Sequence, residues 1–188
     1  MKNSYFIETT RNDHRIAWLA ALAITIHIAE SALPSPLPGV KPGLANVITI
    51  VTLILFGWRM AIWVNLLRVL AGSLLMGTFL SPTFMLSLSG ALASSIVLIL
   101  LSQLPGRGCS AIGYSIAAAM THTMAQFWVA YWLFIQHKGL FYLLPFFMTA
   151  AFLFGIVSGV ITLAILSNHN FRLLSGTIQD SDTPNHLD

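Results

Sequence analysis

Residues 141–166 read FYLLPFFMTAAFLFGIVSGVITLAIL, a run without a single charged side chain. A helix that spans a bilayer needs about 20 mainly apolar residues, and this run is long enough. A strand of a membrane barrel is only about ten residues long and alternates in polarity, whereas this run is apolar throughout. The run therefore predicts a transmembrane helix.

Five further runs of this kind precede it. The six predicted spans lie at approximately residues 16–33, 43–58, 60–79, 84–103, 110–135 and 141–166. Short segments rich in proline, glycine and basic residues separate them. We expect an all-α integral membrane bundle of six transmembrane helices over residues 16–166. We also expect a cytoplasmic tail over residues 1–15 and a disordered one over residues 167–188.

The composition points the same way. Hydrophobic residues make up 56% of the chain and charged residues 8%, with a mean hydropathy of +0.80. Soluble domains carry about three times as much charge, so a water-soluble fold is excluded. A nucleic-acid partner would need a clustered basic stripe, which is missing. The single cysteine excludes an internal disulfide and a multi-cysteine metal site.

The basic residues predict the orientation. Lys and Arg accumulate in the cytoplasmic segments of bacterial membrane proteins. With six spans, only Lys41 and Lys138 lie on the side opposite the two tails. We therefore place both termini in the cytoplasm of a multi-pass protein of the bacterial inner membrane. The basic residues on the side of the tails are Lys2, Arg11, Arg15, Arg59, Arg107 and Arg172.

Ionisable and amide side chains within spans are the candidates for a binding site, because polar groups at membrane depth are costly and usually functional. Five of them, together with Lys41 in the loop after the first span, come from four segments and fall between the midplane and the outer surface. Together with the Ser81 cap that precedes Pro82, they predict an outward-facing polar cavity. The candidate substrate-binding residues are Glu30, Lys41, Asn46, Arg68, Ser81, His122 and Gln126.

The predicted ligand is a small anion. The guanidinium of Arg68 can hold a phosphate or carboxylate through two hydrogen bonds, and Lys41 adds positive charge. The alternative for Arg68 is a structural ion pair with Glu30, and His122 and Gln126 could equally form an interhelical hydrogen bond. We expect no catalytic residue, metal site or cofactor.

Small residues recur at four-residue spacing in two spans. They are Ala17 and Ala21 in the first, and Ala151, Gly155 and Gly159 in the sixth. Such spacing allows helices to approach closely, either inside the bundle or against another membrane subunit. Internal packing is the favoured interpretation.

Three motifs in order resemble the Gx transporter family, also called heptaprenyl diphosphate synthase component I. Residues 38–46 read PGVKPGLAN, residues 67–73 read LRVLAGS and residues 79–84 read FLSPTF. The run HTMAQ at residues 122–126 resembles the family's HNLGQ, with His122 and Gln126 retained. The resemblance covers residues 16–166.

The family is in turn similar to the substrate-binding subunits, or S-components, of energy-coupling-factor importers. These are six-helix proteins that capture vitamins or their precursors. Alanines on their first helix contact a membrane coupling subunit that works with ATPases. The resemblance thus implies that Ala17 and Ala21 form a docking face for such a partner.

Three functions follow as hypotheses. The leading one is uptake of a small anionic or amphipathic metabolite, such as a quinone, isoprenoid or vitamin-type precursor. The alternative is a membrane accessory subunit of heptaprenyl diphosphate synthesis. The chain lacks the paired aspartates with which prenyl-transferring enzymes hold magnesium, so we do not expect an enzyme. The third hypothesis is a scaffold for a membrane redox or flavin-modifying system, and such a scaffold would tolerate substitution of Arg68.

Overall fold

The computed structural model describes residues 11–32, 44–103 and 109–168. In these ranges the chain forms an all-α bundle without strands, as predicted. Residues 1–10 and 169–188 of the predicted tails lie outside them. The helices are α1 (Arg11–Ala32), α2 (Leu44–Phe56), α3 (Trp58–Leu75), α4 (Pro82–Ser102), α5 (Ala111–Leu133) and α6 (Leu144–Ser167), with a 3-10 helix (Lys138–Leu143) before α6.

Helix α2 is the centre of the bundle. Every residue from 47 to 53 is buried, and α2 contacts α1, α3, α5 and α6. Its 13 described residues extend over about 20 Å, less than the hydrocarbon core of a bilayer. The sequence predicts α2 as one span among six equals. A uniformly apolar run looks the same whether lipid or protein surrounds it, so its central position is visible only in the fold.

Three helical segments of the described chain are long and apolar enough to cross a membrane. They are α3, α4 and the continuous segment Lys138–Ser167. Large apolar side chains such as Trp18, Leu100 and Leu153 are exposed on the outside of the bundle. Outward-facing side chains of this kind are suited to contact with lipid, so the chain is a membrane-associated helical bundle. The count of six spans stays a prediction.

The connection between α2 and α3 is a single residue. Gly57, Trp58 and Arg59 predict a break between two spans, but only Gly57 lies outside a helix. Gly57 has φ +85°, a conformation that glycine adopts without steric cost. Arg59 then lies over the Trp58 ring, 5.2 Å from its centroid. A single residue therefore turns the chain from the central helix into α3.

Helices α5 and α6 approach closely where two glycines of α6 face the backbone of α5. A Cβ built at Gly155 would lie 2.9 Å from the Ile116 Cα, and one built at Gly159 would lie 2.6 Å from the Ile112 Cα. Neither distance leaves room for a side chain. The predicted internal packing of the α6 stripe is confirmed.

The small residues Ala17 and Ala21 on α1, unlike those on α6, do not lie inside the bundle. Ala17 and Ala21 are both exposed, as is their neighbour Trp18. Internal packing, the favoured interpretation for this stripe, is therefore wrong within the described bundle. The reason is that α1 turns its Ala23 face, not its Ala17 face, toward α2 and α3, where Ala23 packs with Ile48 and Val64.

Candidate functional site

Arg68 lies near the middle of α3 with its side chain only 6% exposed. Its Nη2 donates a hydrogen bond to Asn65 Oδ1 at 2.7 Å. Its Nε is buried and has no hydrogen-bond partner in the part of the chain that the structure describes. A buried donor left unsatisfied costs about 1–3 kcal/mol, and more when it belongs to a charged group. A bound acceptor would remove that cost.

Asn65 holds Arg68 in place and joins two helices. It is fully buried, and its Nδ2 donates to the Ala91 carbonyl at 3.1 Å and to Ser95 Oγ at 2.9 Å, both on α4. Its amide oxygen accepts from Arg68, so all of its bonds fix the guanidinium relative to α4. Sequence reasoning treats Asn65 as structural. The sequence signal that links Asn65 to Arg68 is their spacing of three residues, which places both side chains on one helix face.

Glu30 supplies negative charge from α1. Its side chain is 4% exposed and acts electrostatically on Arg68, as the sequence predicts for the acidic residue of the first span. Opposite charges in an apolar setting offset each other's desolvation. Among the described residues, Glu30 therefore offsets part of the cost of burying the Arg68 charge.

His122 and Gln126 are the residues that α5 contributes to the site. Gln126 Nε2 and His122 Nε2 are 3.0 Å apart, as expected for residues four apart on one helix face. The imidazole also lies against the backbone of Gly90 on α4 and acts electrostatically on Arg68. A Cβ at Gly90 would lie 2.6 Å from His122 Cε1, so glycine makes room for the ring.

His27 on α1 is a member of the site that sequence reasoning missed. It acts electrostatically on His122, and a Cβ built at Gly72 on α3 would lie 3.1 Å from its Cδ2. The available signal is its position one helical turn before Glu30. We call His27, Glu30, Asn65, Arg68, His122 and Gln126 the polar cluster.

A narrow cleft lies beside the cluster, near the turn that joins α3 to α4. Its volume is about 40 Å³, room for about one water molecule. Polar side chains supply more than half of its lining residues. The lining consists of His27, Val69, Ser73, Met76, Thr78, Thr83, Phe84 and Ser87. A metabolite could occupy this position only if α1, α3 and α4 moved apart.

The sequence profile described as heptaprenyl diphosphate synthase component I matches residues 19–165. The chain belongs to this family. No curated protein matches the chain, and no solved structure does. In this heptaprenyl diphosphate synthase component I family member, the whole polar cluster lies inside the matched range, as does Ala21, whereas Ala17 lies before it.

Two other predicted site residues, Asn46 and Ser81, make no hydrogen bond to the cluster among the described residues. Lys41 lies outside the described residues. Asn46 is half-buried in the first turn of α2 and makes no hydrogen bond to the cluster among the described residues. Ser81 caps α4 as predicted, and its hydroxyl accepts from the Phe84 amide at 3.3 Å. Its neighbours Thr83 and Phe84, not Ser81 itself, line the cleft.

The described residues contain no group of three His, Cys, Asp or Glu side chains placed to hold a metal ion. The cluster offers one cationic donor, one carboxylate and two imidazoles on three helices. Among these groups, the Arg68 guanidinium is the one that could hold an anion through two hydrogen bonds.

Proposed function

We propose that this protein binds a small anionic metabolite at Arg68 and takes it up from the outer side of the bacterial inner membrane. The observation that carries the proposal is the buried Nε of Arg68, which lacks a hydrogen-bond partner among the described residues. A phosphate or carboxylate oxygen is the acceptor that guanidinium groups bind best.

The surroundings of Arg68 support a binding role over a purely structural one. Asn65 fixes the guanidinium by a single nitrogen, Nη2, and leaves Nε toward a ligand. A structural ion pair would gain most from satisfying both nitrogens of the fork, since bidentate pairing is the strong form of arginine–carboxylate contact. The neighbouring cleft, which His27 lines, lies near the α3–α4 turn and would have to widen to admit the ligand.

The test is recovery of a ligand from the native host. Native mass spectrometry of the purified protein should detect a co-purified anionic small molecule in the wild type. Arg68→Lys keeps the charge but loses the planar fork, so the ligand should be lost while the protein still inserts. Arg59→Lys is the matched control, because Arg59 is exposed on the Trp58 ring. Equal ligand occupancy in the two variants would return Arg68 to a structural role.

A second candidate function has one observation in its favour, the family's description as a synthase component. That description implies a partner subunit, and a prenyl diphosphate is itself an anion that Arg68 could bind. Under this hypothesis the purified protein supports chain elongation only when mixed with a catalytic partner. Ligand retention by the protein alone, with no effect on elongation, would favour transport.

The orientation of the proposed uptake is open to direct measurement. We place both termini in the cytoplasm and the turn at Lys138 outside. Cysteines introduced at Lys138 and Asp182, in a variant lacking Cys109, should differ in reaction with an impermeant thiol reagent added outside. We expect labelling at position 138 only, and labelling at 182 alone would invert the topology.

The exposed face of α1 is the proposed contact with a membrane coupling subunit that would supply energy through ATPases; an ion gradient is the other possible source. Ala17 and Ala21 are exposed, so replacing both with leucine should leave folding and ligand binding unchanged. Uptake should stop, because leucine prevents a close helix contact. Normal uptake by this double variant would remove the face from the mechanism.

A further inference from the structure

The cleft beside the polar cluster is lined by hydroxyl groups. Thr83 and Ser87 lie four residues apart on α4, so they share one helix face, and both line the cleft. Ser73 and Thr78 add hydroxyls from the end of α3 and from the turn that follows it. The cleft, with a volume of about 40 Å³, is therefore a small polar space beside the α3–α4 turn.

The hydroxyls of Thr83 and Ser87 are not bonded as other hydroxyls of α4 are. Ser89, Ser94 and Ser102 each donate to a backbone carbonyl three residues earlier in the helix. Such a bond satisfies a hydroxyl group inside its own helix. The side chains of Thr83 and Ser87 make no hydrogen bond to any described residue. Both hydroxyls are therefore available to a group that enters the cleft.

The cleft lies close to Arg68 along α3. Val69, the residue that follows Arg68, lines the cleft, and so does His27 of the polar cluster. Ser73 also lines it and follows Arg68 by five residues, a rise of about 7.5 Å along the helix axis. A short carbon chain spans such a distance. A ligand that is bound through its anionic group at Arg68, and extends toward the α3–α4 turn, therefore brings its other end among the hydroxyls.

We propose that the anion bound by Arg68 carries a hydroxyl group on a short carbon chain, and that Thr83 and Ser87 bind this hydroxyl; the inference rests on the proposed anion site. The ligand class is then a small hydroxylated anion, such as a hydroxy acid or a polyol phosphate. A hydroxyl is about the size of a water molecule, which is what the cleft has room for. A prenyl chain is larger and would leave both side-chain hydroxyls buried without a partner, which is unfavourable.

Matched pairs of anions test this preference. Glycerol 3-phosphate and n-propyl phosphate share a phosphate group and a carbon chain of the same length, and only the first carries hydroxyls. Glycerate and propionate form the corresponding carboxylate pair. Calorimetry measures the affinity of each anion for the full-length protein in lipid nanodiscs. In the pair whose charged group Arg68 binds, the hydroxylated member should bind about tenfold more tightly, the gain expected from one added hydrogen bond.

Variants of α4 locate the preference. Thr83→Val combined with Ser87→Ala removes both hydroxyls, so the two members of a pair should bind equally, with n-propyl phosphate or propionate bound as by the wild type. Ser89→Ala is the matched control, because Ser89 Oγ donates to the Leu86 carbonyl at 2.8 Å, and it should keep the preference. Ser87→Ala alone should reduce the preference about threefold, and it decides the question if the double variant does not fold. A preference that is unchanged in these variants would overturn the inference.

The proposed function and this inference fail in different ways. Equal affinities within both pairs for the wild type, or tighter binding of the members without hydroxyls, would overturn the inference and leave the anion site, provided that Arg68→Lys weakens binding. Failure of the wild type to bind any of the four anions, or binding that is unchanged in Arg68→Lys, would remove the anion site and the inference with it.

Discussion

Glycines occupy the closest contacts in two regions of the bundle, and they serve a different purpose in each. Between α5 and α6, Gly155 and Gly159 allow the Ile116 and Ile112 backbone to come within 2.9 Å and 2.6 Å of where a Cβ would stand. In the polar cluster, the three atoms nearest to a Cβ built at Gly90 all belong to the ring of His122. One region uses glycine to join helices, and the other uses it to house a polar side chain.

This difference predicts different responses to the same substitution. A neighbouring backbone cannot withdraw without moving its helix, because packed helices move as rigid units. A side chain can rotate away and keep the fold intact. Added bulk should thus cost stability at the α5–α6 interface and ligand binding in the cluster.

The largest effect on stability should come from the buried charges of Arg68 and Glu30, which have no counterpart at the α5–α6 interface. Arg68→Met removes the positive charge that acts on buried Glu30, and breaking a buried pair costs about 3–5 kcal/mol. Arg68→Met combined with Glu30→Gln removes both charges and should be close to wild type in the free energy of unfolding. Denaturant titration in mixed micelles measures both variants. A double variant as unstable as Arg68→Met would contradict the balance between the two residues.

The next largest effect belongs to the interface. Gly159→Ala places a methyl group against the Ile112 backbone and should lower the free energy of unfolding by about 3 kcal/mol, the upper part of the range for overpacking. Gly113→Ala is the control, because its Cβ would lie 3.5 Å from the Cys109 Cβ, an ordinary contact. Equal stability of the two variants would show that α5 and α6 separate at low cost.

Gly90→Ala should change the site more than the fold. The new methyl group displaces the His122 ring, which a side chain can follow at a cost of about 1 kcal/mol. Anion affinity should fall about tenfold, equivalent to 1.4 kcal/mol. Binding and unfolding are measured on the same preparation, and His122→Ala serves as the background in which Gly90→Ala should have no further effect on affinity. A fall in stability without loss of affinity would place Gly90 with the interface glycines.

The smallest effect is expected at Gly72. A Cβ there would lie 3.1 Å from His27 Cδ2, so the ring has to give by only a few tenths of an ångström. Gly72→Ala should alter stability by less than about 1 kcal/mol, since the helix propensity of alanine offsets the crowding. Affinity should change less than in Gly90→Ala. A larger loss than at Gly90 would make His27, not His122, the more important imidazole.

The parts of the site that sequence predicts are those fixed by short-range geometry or by charge. His122 and Gln126 are four residues apart on a predicted helix, so their contact follows from the helical repeat. Arg68 and Glu30 stand out because ionisable residues are rare in apolar spans. Neither rule says which way a polar side chain at a helix start points, so the inclusion of Asn46 and Ser81 in the candidate site stays a prediction.

The partners that sequence does not reveal are distant along the chain. Asn65 bonds to Ala91 and Ser95 on α4, and His27 meets Gly72 on α3. Such pairs depend on which helices are neighbours and how each is rotated about its axis. The helices of this bundle are apolar on nearly all sides, so periodicity carries little information about rotation.

The amino-acid sequence by itself determined that the chain is helical and suited to lipid, because a backbone in an apolar medium must satisfy its hydrogen bonds locally and long apolar runs leave the helix as the solution. It also determined that His122 and Gln126 share one face of α5, and that Glu30 and Arg68 stand out as rare ionisable residues in apolar spans. Only the tertiary structure decided that α2 is central, that α1 exposes Ala17 and Ala21, and that glycines face imidazole rings in the cluster but face the backbone of α5 where they lie on α6. Those features depend on how the side chains of several helices pack together, which cannot be read from any single segment of the sequence.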